Sequence, residues 1–355
     1  MIAVVLLAAG QGVRMNSRKQ KILHEVGGHP MVLHAFLAAE AVADLPPVLV
    51  VGPDESGVRA LIGDRATYAV QPEALGTGHA TMMAASALRG RADQVIVTYG
   101  DMPLLRTETM CRLADTQRET GAAVVLLSVP GEPDSSFGRV VRDDLGRVRE
   151  IVEVAEARRR PDAGELLDIR ELNAGVYCFD GDWLWASIGE LPSRQARRGT
   201  EYYLTDLVEL AVAQDRGVAA VMAGDPDEGL GAGTRAEMVE VERAFRRRVN
   251  ARWLAAGVTL IEPDATYIGP DVAIGRDTVI WPNTFLQGRT VIGEDCVIGP
   301  NAIIRDATVG DRCRIEQLLI EEITVPDGTT ARPDQWRTPP RRPKDGAASM
   351  ATGEV

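Results

Sequence analysis

Three charged residues of this sequence are well placed to act on a phosphate: Arg14, Lys21 and Asp101. Arg14 follows an apolar run, IAVVLLA (2–8), in the loop LAAGQGVRM (7–15). Gly10 and Gly12 let the backbone approach a phosphate there, and turn amides can line it. Lys21 stands in QKILH (20–24) and adds a second cation. Asp101, in YGDMP (99–103), ends another apolar strand, where a carboxylate can reach a metal. Mg²⁺ is usually held by one or two carboxylates plus substrate phosphates. A further segment, QPEALGTGHA (71–80), offers Gln71 as donor and acceptor for a base edge. Its Gly76, Thr77 and Gly78 make a tight turn at an expected helix start, where anions are favoured. Taken singly, each has a plain structural reading: a glycine turn with surface cations, a helix capped by Thr77, a turn-forming aspartate before Pro103.

The elements that must position these residues follow from the hydrophobic pattern. IAVVLLA, PVLVVG (47–52), QVIVTYG (94–100) and AAVVLLSV (122–129) read as strands apolar on both faces. They fit a parallel sheet covered by helices. MVLHAFLAAEAVA (31–43) and GHATMMAASALRG (78–90) read as the intervening helices, giving a doubly wound α/β domain. Such sheets bind ligands beyond the C-terminal ends of their strands, where the loops 9–15 and 99–103 lie. Residues 235–257 read as a long, partly solvated connecting helix. Beyond it the period changes. Ile268, Ile274, Ile280, Leu286, Ile292, Ile298 and Ile304 recur every six residues, with small or β-branched residues two positions before them. An α-helix cannot bury that period on one face; a parallel β-helix of about three coils over 262–325 can.

The totals bound the function. A chain of 355 residues accommodates two domains and a tail. Its net charge of −12 argues against a general nucleic-acid binder. No apolar run approaches the length of a membrane span, and the N-terminus has no basic signal region. Cys111, Cys178, Cys296 and Cys313 form no CxxC pair and read as reduced thiols of a cytoplasmic protein.

Together, LAAGxGxRM, KxLH, QxxxLGTGHA, YGD, FGR–V, IVE, NAG and EYYLTD resemble one family over roughly residues 1–325. It is the bifunctional N-acetylglucosamine-1-phosphate uridyltransferase/glucosamine-1-phosphate acetyltransferase family. The resemblance implies a Rossmann-like nucleotidyltransferase domain over 1–230, a connecting helix over 231–257, a short left-handed β-helix over 258–325 and a disordered tail over 326–355. It implies UTP and a sugar 1-phosphate as substrates, Mg²⁺ as cofactor and a homotrimer built through the β-helix, with no nucleic acid or membrane partner. Leu7, Ala8, Ala9, Gly10, Gln71, Gly76, Thr77, Tyr99 and Gly100 would hold the nucleotide. Arg14, Lys21 and Asp101 would be catalytic, Asp101 through the metal. Gly138, Glu153, Asn173, Glu201, Tyr203 and Thr205 would hold the sugar. His24 and His79 lie inside motifs and read as structural.

The sequence also departs from the family pattern. Val13 stands where Thr is usual, and Gln20 where Pro precedes the lysine. The family's second metal ligand is an Asn in a GVNNR-like segment; here GAGTR (231–235) puts Gly233 there, leaving Thr234, Asp225 or a water to take its place. In EVAEA (153–157), Ala155 replaces a lysine, for which Arg158 to Arg160 could compensate. All four histidines (His24, His29, His34, His79) lie in the first domain, so the β-helix lacks the histidine that the family's acetyl transfer requires. The expected activity is sugar-1-phosphate nucleotidyl transfer, by default to N-acetylglucosamine 1-phosphate and without acetyl transfer. The alternatives are another hexose or cyclitol phosphate, another nucleotide, or an inactive nucleotide-sugar sensor or scaffold.

Overall fold

A computed structural model describes residues 1–196 and 199–334. The chain divides into two compact units between Ala244 and Phe245, inside the helix Arg235–Ala255.

The first unit is built on a nine-stranded sheet. Its main path runs Val218–Met222, Val124–Pro130, Glu171–Asp180, Gln94–Tyr99, Ile2–Ala8, Val48–Val51, Thr67–Val70. Alternate residues of the strands feed two cores. Val5, Val50, Val97 and Leu126 face one way, under the helices Gly76–Met83, Gly181–Ser187 and Asp206–Ala213. Leu6, Leu49, Ile96 and Leu127 face the other, under Met31–Glu40 and Thr107–Thr120. Both faces being covered explains the nearly unbroken apolar runs. The helix expected over 78–90 is two pieces, Gly76–Met83 and Ala85–Leu88.

The sheet is not wholly parallel. Glu171–Asp180 runs antiparallel to both neighbours, Gln94–Tyr99 and Val124–Pro130. Two short helices, Val154–Ala157 and Ala163–Asp168, precede it. Before them comes a hairpin, Arg139–Arg142 with Val148–Val152, whose first strand pairs with it at Leu172. Antiparallel pairing needs no crossover of the kind a parallel neighbour demands. A register shift between Asn173 and Tyr177, with Gly175 at φ 81°, bends this strand. Bulges of this kind re-aim side chains next to active sites.

In the second unit, short parallel strands stack in three sheets of five, four and four. Ile280, Ile298 and Ile315 line one stack inside, Leu286, Ile304 and Ile320 the second, Ile292, Val309 and Val325 the third, all buried. This is a parallel β-helix. Its last strand, Thr330–Ala331, pairs with Arg314–Ile315, so the coil continues past residue 326 where a tail was expected. The strict six-residue step shortens after Ile304, which hid that final turn. Residues 335–355, the remainder of the expected tail, lie outside the described part. Among the described residues no helix is long and apolar enough to cross a membrane, and all four cysteines are free thiols.

Candidate nucleotidyl-transfer site

The loops at the C-terminal ends of Ile2–Ala8, Thr67–Val70 and Gln94–Tyr99 converge on two adjoining cavities. The smaller, about 290 Å³, is lined by Leu7 to Gly10, Lys21, Gln71, Gly76, Thr77, Tyr99, Asp101 and Glu201, with Ile22, Ala74 and Ala80. The larger, about 520 Å³, is lined by Arg14, Lys21, Tyr99, Asp101, Gly138, Glu153, Asn173 and Gly233, among others. Lys21, Tyr99 and Asp101 line both.

Local backbone explains the smaller cavity. Gly10 has open space where a Cβ would be, so the loop presents bare backbone. Gly12, at φ 62°, serves a different purpose from phosphate approach. A Cβ there would lie 2.4 Å from Lys21 Cβ. The glycine lets Lys21 pass close and reach Asp101, with whose Oδ2 its ammonium pairs. The Gln71 amide nitrogen donates to Gly76 O (3.1 Å) and lies 3.0 Å from His79 Nδ1. Its Oε1 is the atom left for a ligand, and His79 acts by holding Gln71. Thr77 does not cap its helix; its hydroxyl accepts the Leu204 N–H at 3.0 Å. Gly76 and Gly78 are small because Tyr202 O would lie 2.5 and 3.1 Å from a Cβ on them. Gly100 lines neither cavity; it donates its N–H to Leu7 O (3.0 Å) and fixes the strand ends.

The sugar-side expectations divide. Gly138, Glu153 and Asn173 do line the larger cavity. A Cβ on Gly138 would sit 3.3 Å from Glu153 Oε1, so glycine admits that carboxylate. Burial, then the charges of Glu156 and Asp206, raise the Glu153 pKa, while Arg194 opposes. Asn173 is buried and held at both ends, Nδ2 donating to Tyr177 Oη (2.7 Å) and Oδ1 accepting from Gly175 N (3.0 Å). Glu201, however, lines the smaller cavity, and Tyr203 and Thr205 line neither. Their segment is stitched to the 75–78 loop instead, through Tyr202 N to Leu75 O and Gly78 N to Tyr202 O, both 2.8 Å.

The departures also find their places. Arg160 is paired with Glu150 at 2.8 Å, Arg158 and Arg159 are exposed, and none of the three lines the larger cavity. Asp225 is paired with Arg106 (2.6 Å), and Thr234 Oγ1 accepts the Glu237 N–H (3.1 Å). Neither lines that cavity, so neither substitutes at position 233. Among the described residues no three His, Cys, Asp or Glu gather as an all-protein metal site. The donor set still suits Mg²⁺, which takes one or two carboxylates and completes its shell with phosphates and water.

Sequence reasoning missed Ser136, Phe137, Gly229, Glu237 and Glu240 on the cavity wall. The two glutamates were hidden because their helix read as a connector; its first turns border the larger cavity. Buried Arg139 was also missed as a support. Its guanidinium donates to the carbonyls of Pro133 (2.7 Å), Ser135 (3.1 and 3.2 Å) and Phe137, fixing the loop that forms one wall.

The MobA-like NTP transferase domain model matches residues 4–182, and the bacterial transferase hexapeptide model matches 289–317. The bifunctional protein GlmU of Trichlorobacter lovleyi is 40% identical over 93% of this chain and 71% of its own length. That of Pelobacter propionicus is 41% identical over 89% of this chain and 67% of its own. The chain belongs to the GlmU family. The Enterococcus faecalis GlmU protein is 37% identical with similar coverage, 93% and 70%. As a GlmU-family member the chain is a nucleotidyltransferase, and its second unit is a left-handed β-helix of hexapeptide repeats. Membership implies a nucleoside triphosphate and a sugar 1-phosphate as substrates and a divalent metal as cofactor.

Proposed function

We propose that the chain makes UDP-N-acetylglucosamine and pyrophosphate from UTP and N-acetylglucosamine 1-phosphate, with Mg²⁺ as cofactor. The observation that carries this reading is the edge shared by the two cavities at Lys21, Tyr99 and Asp101. A nucleotide in the smaller cavity and a sugar phosphate in the larger meet there. A sugar phosphate oxygen forms a bond to the α-phosphorus, and the bond from that phosphorus to the α–β bridging oxygen breaks in line. The electron pair leaves with pyrophosphate. The phosphate monoester is already anionic at pH 7, so the site needs positioning and charge neutralisation more than a base. Arg14 and Lys21 supply fixed positive charge to the triphosphate; Lys21 turns from Asp101 toward phosphate as substrate enters. Mg²⁺, held at Asp101, would neutralise charge on the phosphate oxygens.

Gln71 Oε1 would accept from the base edge, with Leu7 to Gly10, Gly76 and Thr77 around the nucleoside. Gly138, Glu153 and Asn173 would hold the sugar. The β-helix would assemble three chains. The proposed activity is nucleotidyl transfer without acetyl transfer. Ala155 and Gly233 favour a second reading, the same reaction on another hexose or cyclitol phosphate or another nucleotide. A sensor without turnover would have little use for Arg14, Lys21 and Asp101 together on one cavity wall.

Pyrophosphate release, with Mg²⁺, from four NTPs against a panel of sugar 1-phosphates tests this. Release confined to UTP with N-acetylglucosamine 1-phosphate is expected. Release from another pair selects the second reading, and silence with tight UDP-sugar binding selects the sensor.

A further inference from the structure

The larger cavity carries a charge balance that looks wrong for its cargo. It must admit phosphates, yet Asp101, Glu153, Glu237 and Glu240 line it, against only two cations, Arg14 and Lys21. Three of these carboxylates are accounted for. Asp101 is paired with Lys21. Glu240 is paired with Arg243 at 2.8 Å on the exposed side of its helix. Glu153 lies against Gly138 on the wall assigned to the sugar. Glu237 has no such explanation: Oε2 accepts the Gly233 N–H at 2.7 Å, and no cation pairs with it among the described residues.

Position 233 explains where Glu237 stands. A Cβ built on Gly233 would lie 3.0 Å from Glu237 Oε2 and 2.5 Å from Arg14 Nη2. The space that a side chain at 233 would fill is therefore taken by a carboxylate oxygen and a guanidinium. The same short segment reaches Asp101. Ala232 N donates to Asp101 O at 3.3 Å, and a Cβ on Gly231 would be 3.8 Å from Asp101 Oδ2. Residues 231–233 thus hydrogen-bond the Glu237 carboxylate and the Asp101 main chain, and both side chains line the same cavity. A carboxylate held only by a backbone N–H, with no ion pair, is repulsive toward a polyphosphate, whereas a divalent cation between them turns the repulsion into coordination.

We propose that Glu237 is the second protein ligand of the divalent cation, working with Asp101 in place of a side chain at position 233. The proposal rests on reading the cavities as a nucleotidyl-transfer site. It makes Gly233 a relocated ligand rather than a lost one.

The test is Mn²⁺ binding, followed by the electron paramagnetic resonance signal of free Mn²⁺, for the full chain alone and with UTP. Glu237→Gln is expected to weaken binding at least about tenfold, while Glu240→Gln stays within about twofold. Gly233→Asn in the Glu237→Gln background is expected to recover affinity, since Arg14 Nη2 is the end of a flexible side chain and can move aside. Unchanged Mn²⁺ affinity in Glu237→Gln, with an unchanged melting temperature, overturns the proposal. So does equal loss in Glu240→Gln, which would mean diffuse charge rather than a ligand. If Glu237→Gln has a lowered melting temperature, the Gly233→Asn recovery decides instead: recovery supports a ligand, and none overturns it. Pyrophosphate release is measured separately. A chain that binds Mn²⁺ through Glu237 but turns over no substrate pair keeps this proposal and overturns the functional reading.

Discussion

Lys21 and Asp101, 80 residues apart in sequence, form an ion pair on the edge common to both cavities. On the proposed function, phosphate would compete for Lys21 and the metal for Asp101. The arrangement depends on Gly12, over which Lys21 passes. Lys21→Ala is expected to lower kcat about 10²–10³-fold, the usual effect of deleting one electrostatic stabiliser. Gly12→Ala puts a Cβ into Lys21 and strains a left-handed residue, so it should reproduce much of that loss while the neighbouring Val13→Ala, exposed, does not. Steady-state kinetics on the three variants check this. Equal activity of Gly12→Ala and the parent would separate the glycine from the lysine.

Glu153 sets function against stability. Its carboxyl is desolvated, and Glu156 and Asp206 lie near, so its folded pKa stands above the ordinary glutamate value of 4.5. The folded state thus binds this proton more tightly than the unfolded chain does. The favourable contribution is present at low pH and is lost as pH rises from the ordinary value through the raised one. Glu153→Gln is therefore expected to melt higher than the parent at pH 7.5, with the difference vanishing toward pH 4. The same variant should raise the KM for sugar phosphate and leave the NTP KM nearly unchanged. Thermal melts across pH, paired with both KM values, read the two effects apart.

How far the site was legible depends on the kind of residue. Asp101 and the 7–10 loop were legible because each follows an apolar run that reads as a buried strand, and ligands gather at such strand ends; Gln71 was legible from its motif instead, since the strand before it, Thr67–Val70, is only partly buried. The antiparallel strand Glu171–Asp180 was not, since its apolar run is compatible with either direction and only pairing to the Arg139–Arg142 hairpin decides it. Thr77 illustrates a second limit. Its place at a helix start suggests a cap, but its hydroxyl serves Leu204, 127 residues away. Gly233 illustrates a third: a missing side chain is visible in sequence, while the Arg14 and Glu237 atoms that fill its space are not.

Arg139 braces the loop whose residues Ser136 to Gly138 line the larger cavity. Its side chain is wholly buried, and its guanidinium is solvated by the carbonyls of Pro133, Ser135 and Phe137. Arg139→Met leaves those acceptors without donors and should cost about 1–3 kcal/mol. Arg139→Lys can satisfy one or two of them and should retain more stability. Both variants loosen the loop bearing Ser136 to Gly138, so the sugar phosphate KM should rise about tenfold while the NTP KM changes little. Equal rises in both constants would assign Arg139 to general stability alone.

The outer face of one β-helix sheet should carry the trimer contact. Tyr267, Phe285, Ile303 and Leu319 stand in register along it, pointing away from the inward Ile268, Leu286, Ile304 and Ile320. Tyr267 and Phe285 stack with centroids 4.3 Å apart, and Arg246 covers Tyr267 at 4.6 Å. That leaves the Ile303 and Leu319 end bare, at 36% and 56% exposure. An uncovered apolar ladder of this kind marks an interaction surface. Ile303→Asp with Leu319→Arg changes only outward positions and leaves the inner stack intact. Light scattering after gel filtration should give a trimer for the parent and a monomer for the double variant at micromolar concentration, with little change in circular dichroism. A double variant that remains trimeric would move the contact to another face of the coil, and a monomeric parent would remove assembly from the role of the β-helix.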